Sequence, residues 1–161
     1  MTETGERTAK VTLPSDTEVL VTRDFDAPRH LVYRAWTTPE LVRRWWSGHR
    51  GEMTVAEIDL RVGGDWRYAM IAEGGFEVAF HGTYSEVVEN ERLVTTEVFE
   101  GMPGAEAAIN VVTFTETDGG TRLELLMQVS SKEVRDMVLS TGMEGGIQEQ
   151  MLILDEILAE G

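Results

Sequence analysis

Cysteine is absent from the 161 residues, which excludes disulfides, thiolate nucleophiles and sulfur-ligated metals together and fits a cytoplasmic protein. Long apolar runs are missing too. No window approaches the roughly 18 residues of a membrane span, and the opening stretch MTETGERTAKVTLPSDTE has no apolar segment of the signal-peptide kind. Basic residues are scarce: Lys and Arg number 14 against 29 Asp and Glu, for a formal net charge of −15. That balance sets the surface against phosphate backbones and anionic membranes, so nucleic acid is not an expected partner. No Walker A motif, dinucleotide fingerprint or G-x-S-x-G elbow occurs, and His30, His49 and His81 form no H-x-x-x-H or H-E-x-x-H arrangement. Neither a metal nor another cofactor is expected.

What is present is ordinary globular material, 42% hydrophobic and 27% charged, at a length suited to one domain. Residues 1–15 read as a flexible leader or a loosely attached first strand, and residues 16–161 as a single domain. Val19, Val21 and Phe25 alternate with polar neighbours and predict a strand that Asp26-Ala27-Pro28 stops. Pro28 and Pro39 each open a short helix, the second ending in Trp45-Trp46, which are expected to pack over the rim of the sheet. Period-two segments then run over residues 53–60, 65–72, 76–88, 92–98, 107–115 and 122–129. The turn signals between them, Gly63-Gly64, Gly74-Gly75, Glu89-Asn90 and Asp118-Gly119-Gly120, are too short for parallel crossovers. An antiparallel meander follows, with a longer mobile loop over residues 100–106.

Ser130-Ser131-Lys132-Glu133 and Thr141-Gly142-Met143-Glu144 each carry the spacing of a capping box, announcing two helices. Along the second, Met143, Ile147, Met151, Leu154 and Leu158 draw one apolar stripe. The stripe and the apolar face of the sheet are natural partners. The fold class is therefore α+β, a curved antiparallel sheet closed over a long C-terminal helix. Aromatic and methionine side chains concentrate on the inner surface, and Gly145-Gly146 interrupt the helix, making room for close packing or for a void. The expected wall of an internal chamber comprises Trp66, Tyr68, Met70, Phe80, Tyr84, Val98, Val111, Leu125, Met127, Met143, Ile147 and Met151.

Several motifs in order resemble the AHSA1-like proteins, homologues of the activator of Hsp90 ATPase, within the START/Bet v 1-like (SRPBCC) superfamily. These are Arg23-Asp24-Phe25-Asp26-Ala27-Pro28-Arg29, Val32-Tyr33-Arg34-Ala35-Trp36-Thr37, Pro39-Glu40-Leu41 through Trp45-Trp46, Asp59 through Arg67, Gly82-Thr83-Tyr84-Ser85-Glu86-Val87 and Gly142-Met143-Glu144-Gly145-Gly146. The resemblance implies the helix-grip architecture, with elements in the order β-α-α-β-β-β-β-β-β-α. It implies function only broadly, because the superfamily spans carriers, receptors and cyclases. The eukaryotic activator engages its chaperone with an additional N-terminal domain, for which this chain is expected to have no room.

Three functional readings follow. The first is a module binding a small hydrophobic or amphipathic molecule in the chamber, more a binder than an enzyme. The second is a cyclase- or hydrolase-like enzyme in which Glu57, Asp59, Glu97 or His81 acts as general base, with Tyr84 or Arg67 stabilising an oxyanion. Strand parity puts His81 and Arg67 outside. The third is a protein-interaction or chaperone-activating domain with a filled core. A homodimer is an expected assembly.

Overall fold

Alternating residues from eight segments pair into one antiparallel sheet. The computed structural model describes residues 8–102, 104 and 106–161. Its strands are β1 (Lys10–Thr12), β2 (Glu18–Phe25), β3 (Gly51–Ile58), β4 (Asp65–Ala72), β5 (Glu77–Val88), β6 (Arg92–Phe99), β7 (Ala108–Thr117) and β8 (Gly120–Gln128), in the spatial order β1-β2-β8-β7-β6-β5-β4-β3. The helices are α1 (Arg29–Thr37), α2 (Pro39–Trp45), α3 (Lys132–Ser140) and α4 (Met143–Ala159). β3 to β8 form the meander that the turn signals require, and β2 closes onto β8. No helix among the described residues is long and apolar enough to cross a membrane.

Two elements lie outside the β-α-α-β-β-β-β-β-β-α order. β1 sits within the stretch read as a leader and pairs with β2, Val11 opposite Val21; residues 1–7 of that stretch lie outside the described residues. α3 is the helix announced at Ser131, whose hydroxyl accepts from the Val134 N–H at 3.2 Å. The cap expected from Thr141 does not form. Its hydroxyl donates back to the Val138 carbonyl, and Gly142, at φ +83°, makes the left-handed step into α4. Only glycine takes that step without strain. Residues 103 and 105 of the long loop also fall outside the described set.

The inner surface is closed at one end. Phe25, Val32, Leu93, Val112, Phe114 and Leu123 are buried there with Leu154 and Ile157 of α4. Trp45 donates its indole N–H to the Ala35 carbonyl at 2.9 Å and lies against Trp36, joining the two small helices. Arg23, on the inner face of β2, is 1% exposed and paired with Asp155 of α4 at 2.6 Å. Gly145 and Gly146 do not open an internal space. The Arg50 guanidinium lies over them, so that a Cβ on Gly145 would stand 3.1 Å from Arg50 Nη2. The pair admits a cation at the first turn of α4, where Arg50 also donates to the Gly142 carbonyl.

Candidate functional site

At the opposite end, β6 and β7 invert the usual pattern. Register fixes the faces: Thr95 is opposite Tyr84 and Asn110, Asn110 opposite Met127, and Glu97 opposite Ala108. Thr95, Glu97 and Asn110 therefore point inward with Tyr84 and Met127. The apolar Val94, Val98, Ile109 and Val111 point outward, and Ile109 is 42% exposed. An amphipathic strand built only for stability would do the reverse.

Among the inward polar groups Asn110 and Glu97 form a bonded pair, and the Tyr68 hydroxyl feels the Glu97 charge. Asn110 Nδ2 donates to Glu97 Oε1 at 2.7 Å, while Asn110 Oδ1 is enclosed and accepts no hydrogen bond. The Tyr68 and Tyr84 hydroxyls lie close enough to influence each other's protonation. Burial, then the neighbouring Tyr84, pushes the Tyr68 hydroxyl well above its ordinary value, and Glu97 adds to this. Burial, aided by Tyr33, pushes Tyr84 up to about 12. Both phenols are neutral donors at any ordinary pH. Glu97 is raised by burial, with the Asn110 amide opposing the shift.

A carboxyl whose folded pKa lies above its unfolded value binds its proton more tightly when folded. The stability it contributes is complete below about the ordinary value of 4.5 and is lost as pH rises through the folded value. Glu97→Gln keeps the shape and the Asn110 contact without the charge. It is expected to be more stable than the parent at pH 7.5 and to lose that advantage by about pH 4. Denaturation midpoints at the two pH values measure this, and an advantage that does not change with pH would contradict it.

The expected wall is half-open. Met70, Phe80, Leu125, Met127 and Met143, all expected wall residues, are half-buried, whereas Trp66, Tyr68, Tyr84, Ile147 and Met151 are buried. Val98 and Val111 are corrected to the outer face, since Val98 pairs with the outward His81 and Val111 with Val94. Trp46, expected only to cover the rim, reaches inward and meets Tyr68 and Phe80 edge-on at 5.5 and 5.6 Å. Asn110 was not singled out in sequence; a lone polar residue among the apolar ones of β7 was the available signal. Of the candidate bases, Glu97 faces inward, Glu57 lies opposite Arg67 on the outer face, and Asp59 is exposed and paired with Arg61.

The model of the family described as "Activator of Hsp90 ATPase homolog 1-like protein" matches residues 26–159. The chain belongs to this family. Similar solved structures include a protein from Rhodobacter sphaeroides (23% identity, TM-score 0.89, covering 96% of this chain and 99% of that one) and Ms6760 from Mycobacterium smegmatis (28% identity, TM-score 0.85, 95% and 97%). Protein NE0264 from Nitrosomonas europaea is a third (24% identity, TM-score 0.82, 92% and 97%). No curated protein matches by sequence.

On this AHSA1-like scaffold the outer face carries a second feature, an open depression of about 530 Å³ bordered by Glu57, Asp65, Arg67, His81, Thr96 and Val98. Its charges are already engaged. Glu100 accepts from Arg67 at 2.8 and 3.0 Å and meets His81 Nδ1 at 2.9 Å. The Arg67 hydrogen bonds, then that of His81, pull the Glu100 carboxyl down to about 2. A satisfied, solvent-washed ion cluster binds little further. The inner face, onto which Thr95, Glu97 and Asn110 are turned, is the better candidate.

Proposed function

We propose that the concave face of this AHSA1-like domain binds a small amphipathic molecule at the end where α4 begins. The observation carrying the reading is the inversion on β6 and β7, which turns the half-buried Thr95, Glu97 and Asn110 onto the inner face and leaves Ile109 42% exposed on the outer one. Half-buried Met70, Phe80 and Met127 share this inner face by register and supply adaptable apolar surface. A ligand hiding about 200 Å² of apolar area there would gain on the order of 5 kcal/mol before ordering costs, which by itself corresponds to a Kd of roughly 0.2 mM. Native mass spectrometry of freshly expressed protein is expected to show a non-covalent adduct that organic extraction removes, and the emptied protein to bind Nile red saturably. Bare protein that also ignores the dye would overturn the proposal.

A second reading is favoured by the inward aim of Glu97 beside two phenols. The same pocket would serve proton abstraction from an enolisable ligand, with Glu97 as base and Tyr68 or Tyr84 donating to the developing oxyanion. Incubating any extracted molecule with wild type and Glu97→Gln separates the readings, since turnover lost in the variant supports the enzyme and intact recovery from both supports the binder.

A further inference from the structure

We propose that the outer face of the sheet, where β2, β8, β7 and β6 lie side by side, is the contact surface of a homodimer. Its occupant is a second copy of this chain, stacked sheet on sheet.

Register sets four apolar side chains in one row across those strands. Leu20 is opposite Leu126, Leu126 opposite Val111, and Val111 opposite Val94. All four are half-buried, and Ile109 borders the row at 42% exposure. The helices α1 and α4 pack against the other face, where Tyr33 meets Phe114 and Leu154 is buried. An antiparallel sheet with one face on the core ordinarily turns polar residues outward at such positions. Single exposed apolar residues need no explanation, but a contiguous row marks a contact surface.

Charge selects the occupant. On β1, β2, β8, β7 and β6 the outward positions hold three cations, Lys10, Arg92 and Arg122, and three carboxylates, Glu18, Asp24 and Glu124. Glu86 on the bordering β5 brings this face to −1, against −15 for the whole chain. Arg122 donates to Asp24 at 2.9 and 3.2 Å, and Arg92 to Glu86 at 2.9 Å, so most of these charges are paired within the face itself. A basic partner would find its counter-charges elsewhere on the molecule. An equally acidic copy meets almost no local repulsion here.

Size sets the strength. Each of the four strands has eight residues or more. At about 3.3 Å per residue and about 4.8 Å between strands they offer roughly 500 Å² on each copy, or about 1,000 Å² in the pair. That is the lower bound for a specific interface, so the dimer is weak and forms with concentration. Ile109 lies at its rim, where truncation costs little. The concave face stays free.

Sedimentation velocity of the full chain, loaded from about 1 to about 200 µM at about 0.15 M salt, tests this. The parent is expected to pass from monomer to dimer across that range. Val111→Lys and Leu126→Lys each put a cation in the middle of the row and are expected to weaken association at least about tenfold. Both lower the net negative charge, so long-range repulsion cannot explain the loss. Leu152→Lys, on the exposed side of α4 at 46% exposure, is the control and is expected to dimerise like the parent. Circular dichroism identifies any row variant that fails to fold, and the other then decides the matter. A parent that stays monomeric at the highest loading overturns the proposal, leaving the row to a different partner or to none. A dimer that survives the row substitutions, or that Leu152→Lys disrupts as strongly, overturns it too.

Discussion

Asp155→Ala is expected to destabilise the protein by about 3 kcal/mol, the lower end of the range for removing one partner of a buried ion pair. Arg23 is 1% exposed, and its guanidinium is neutralised by an Asp155 carboxylate that is itself 41% exposed. The cation also donates to the Asp24 carbonyl at 3.1 Å and lies 4.7 Å from the centroid of the Phe25 ring. The arginine cannot reach water without opening the seam between β2 and α4. Replacing both members together, as Arg23→Met with Asp155→Leu, is expected to be close to neutral, because the desolvation cost disappears with the attraction. Urea midpoints for the two variants check this. A single variant within about 0.5 kcal/mol of the parent would show that the pair does not hold α4 to the sheet.

Phe114→Ala should cost about 3–5 kcal/mol, through lost burial and the cavity left behind. The ring is 1% exposed, meets Tyr33 and Trp36 edge-on at 5.5 and 6.3 Å, and faces Leu123 across the ladder. Aromatic and backbone-bonded neighbours fix its surroundings, so collapse into the void is restricted. Ile109→Ala, on the outer face of the same strand, is the control and should change stability by no more than about 0.5 kcal/mol. A small loss for Phe114→Ala, or a comparable loss at Ile109, would mean that the inner and outer faces of β7 have been assigned the wrong way round.

Most of the architecture was legible because period-two segments and a single amphipathic helix each have one face to bury. The six strands of the meander lie within a few residues of where alternation put them, and the stripe from Met143 to Leu154 does face inward. β1 was not legible as a strand of its own, since three residues are too few to show a period. For the glycines of α4 the sequence left close packing and a void open, because it shows that a side chain is missing but not what fills its place, here Arg50. The site itself was legible only in part. Val98 and Val111 were placed inside on the rule that apolar residues go in, and β6 and β7 break that rule where Glu97 and Asn110 sit. Local inconsistency of this kind concentrates where function competes with packing.

The one-sided closure of the sheet has a further effect. Residues that keep the chain folded gather around Phe114 and Leu154, while those to which the proposal above assigns ligand contact, such as Met70 and Met127, are only half-buried. Such a layout lets the lip be rewritten for new cargo at little cost to folding, and a graft of lip side chains should carry selectivity from one homologue into another.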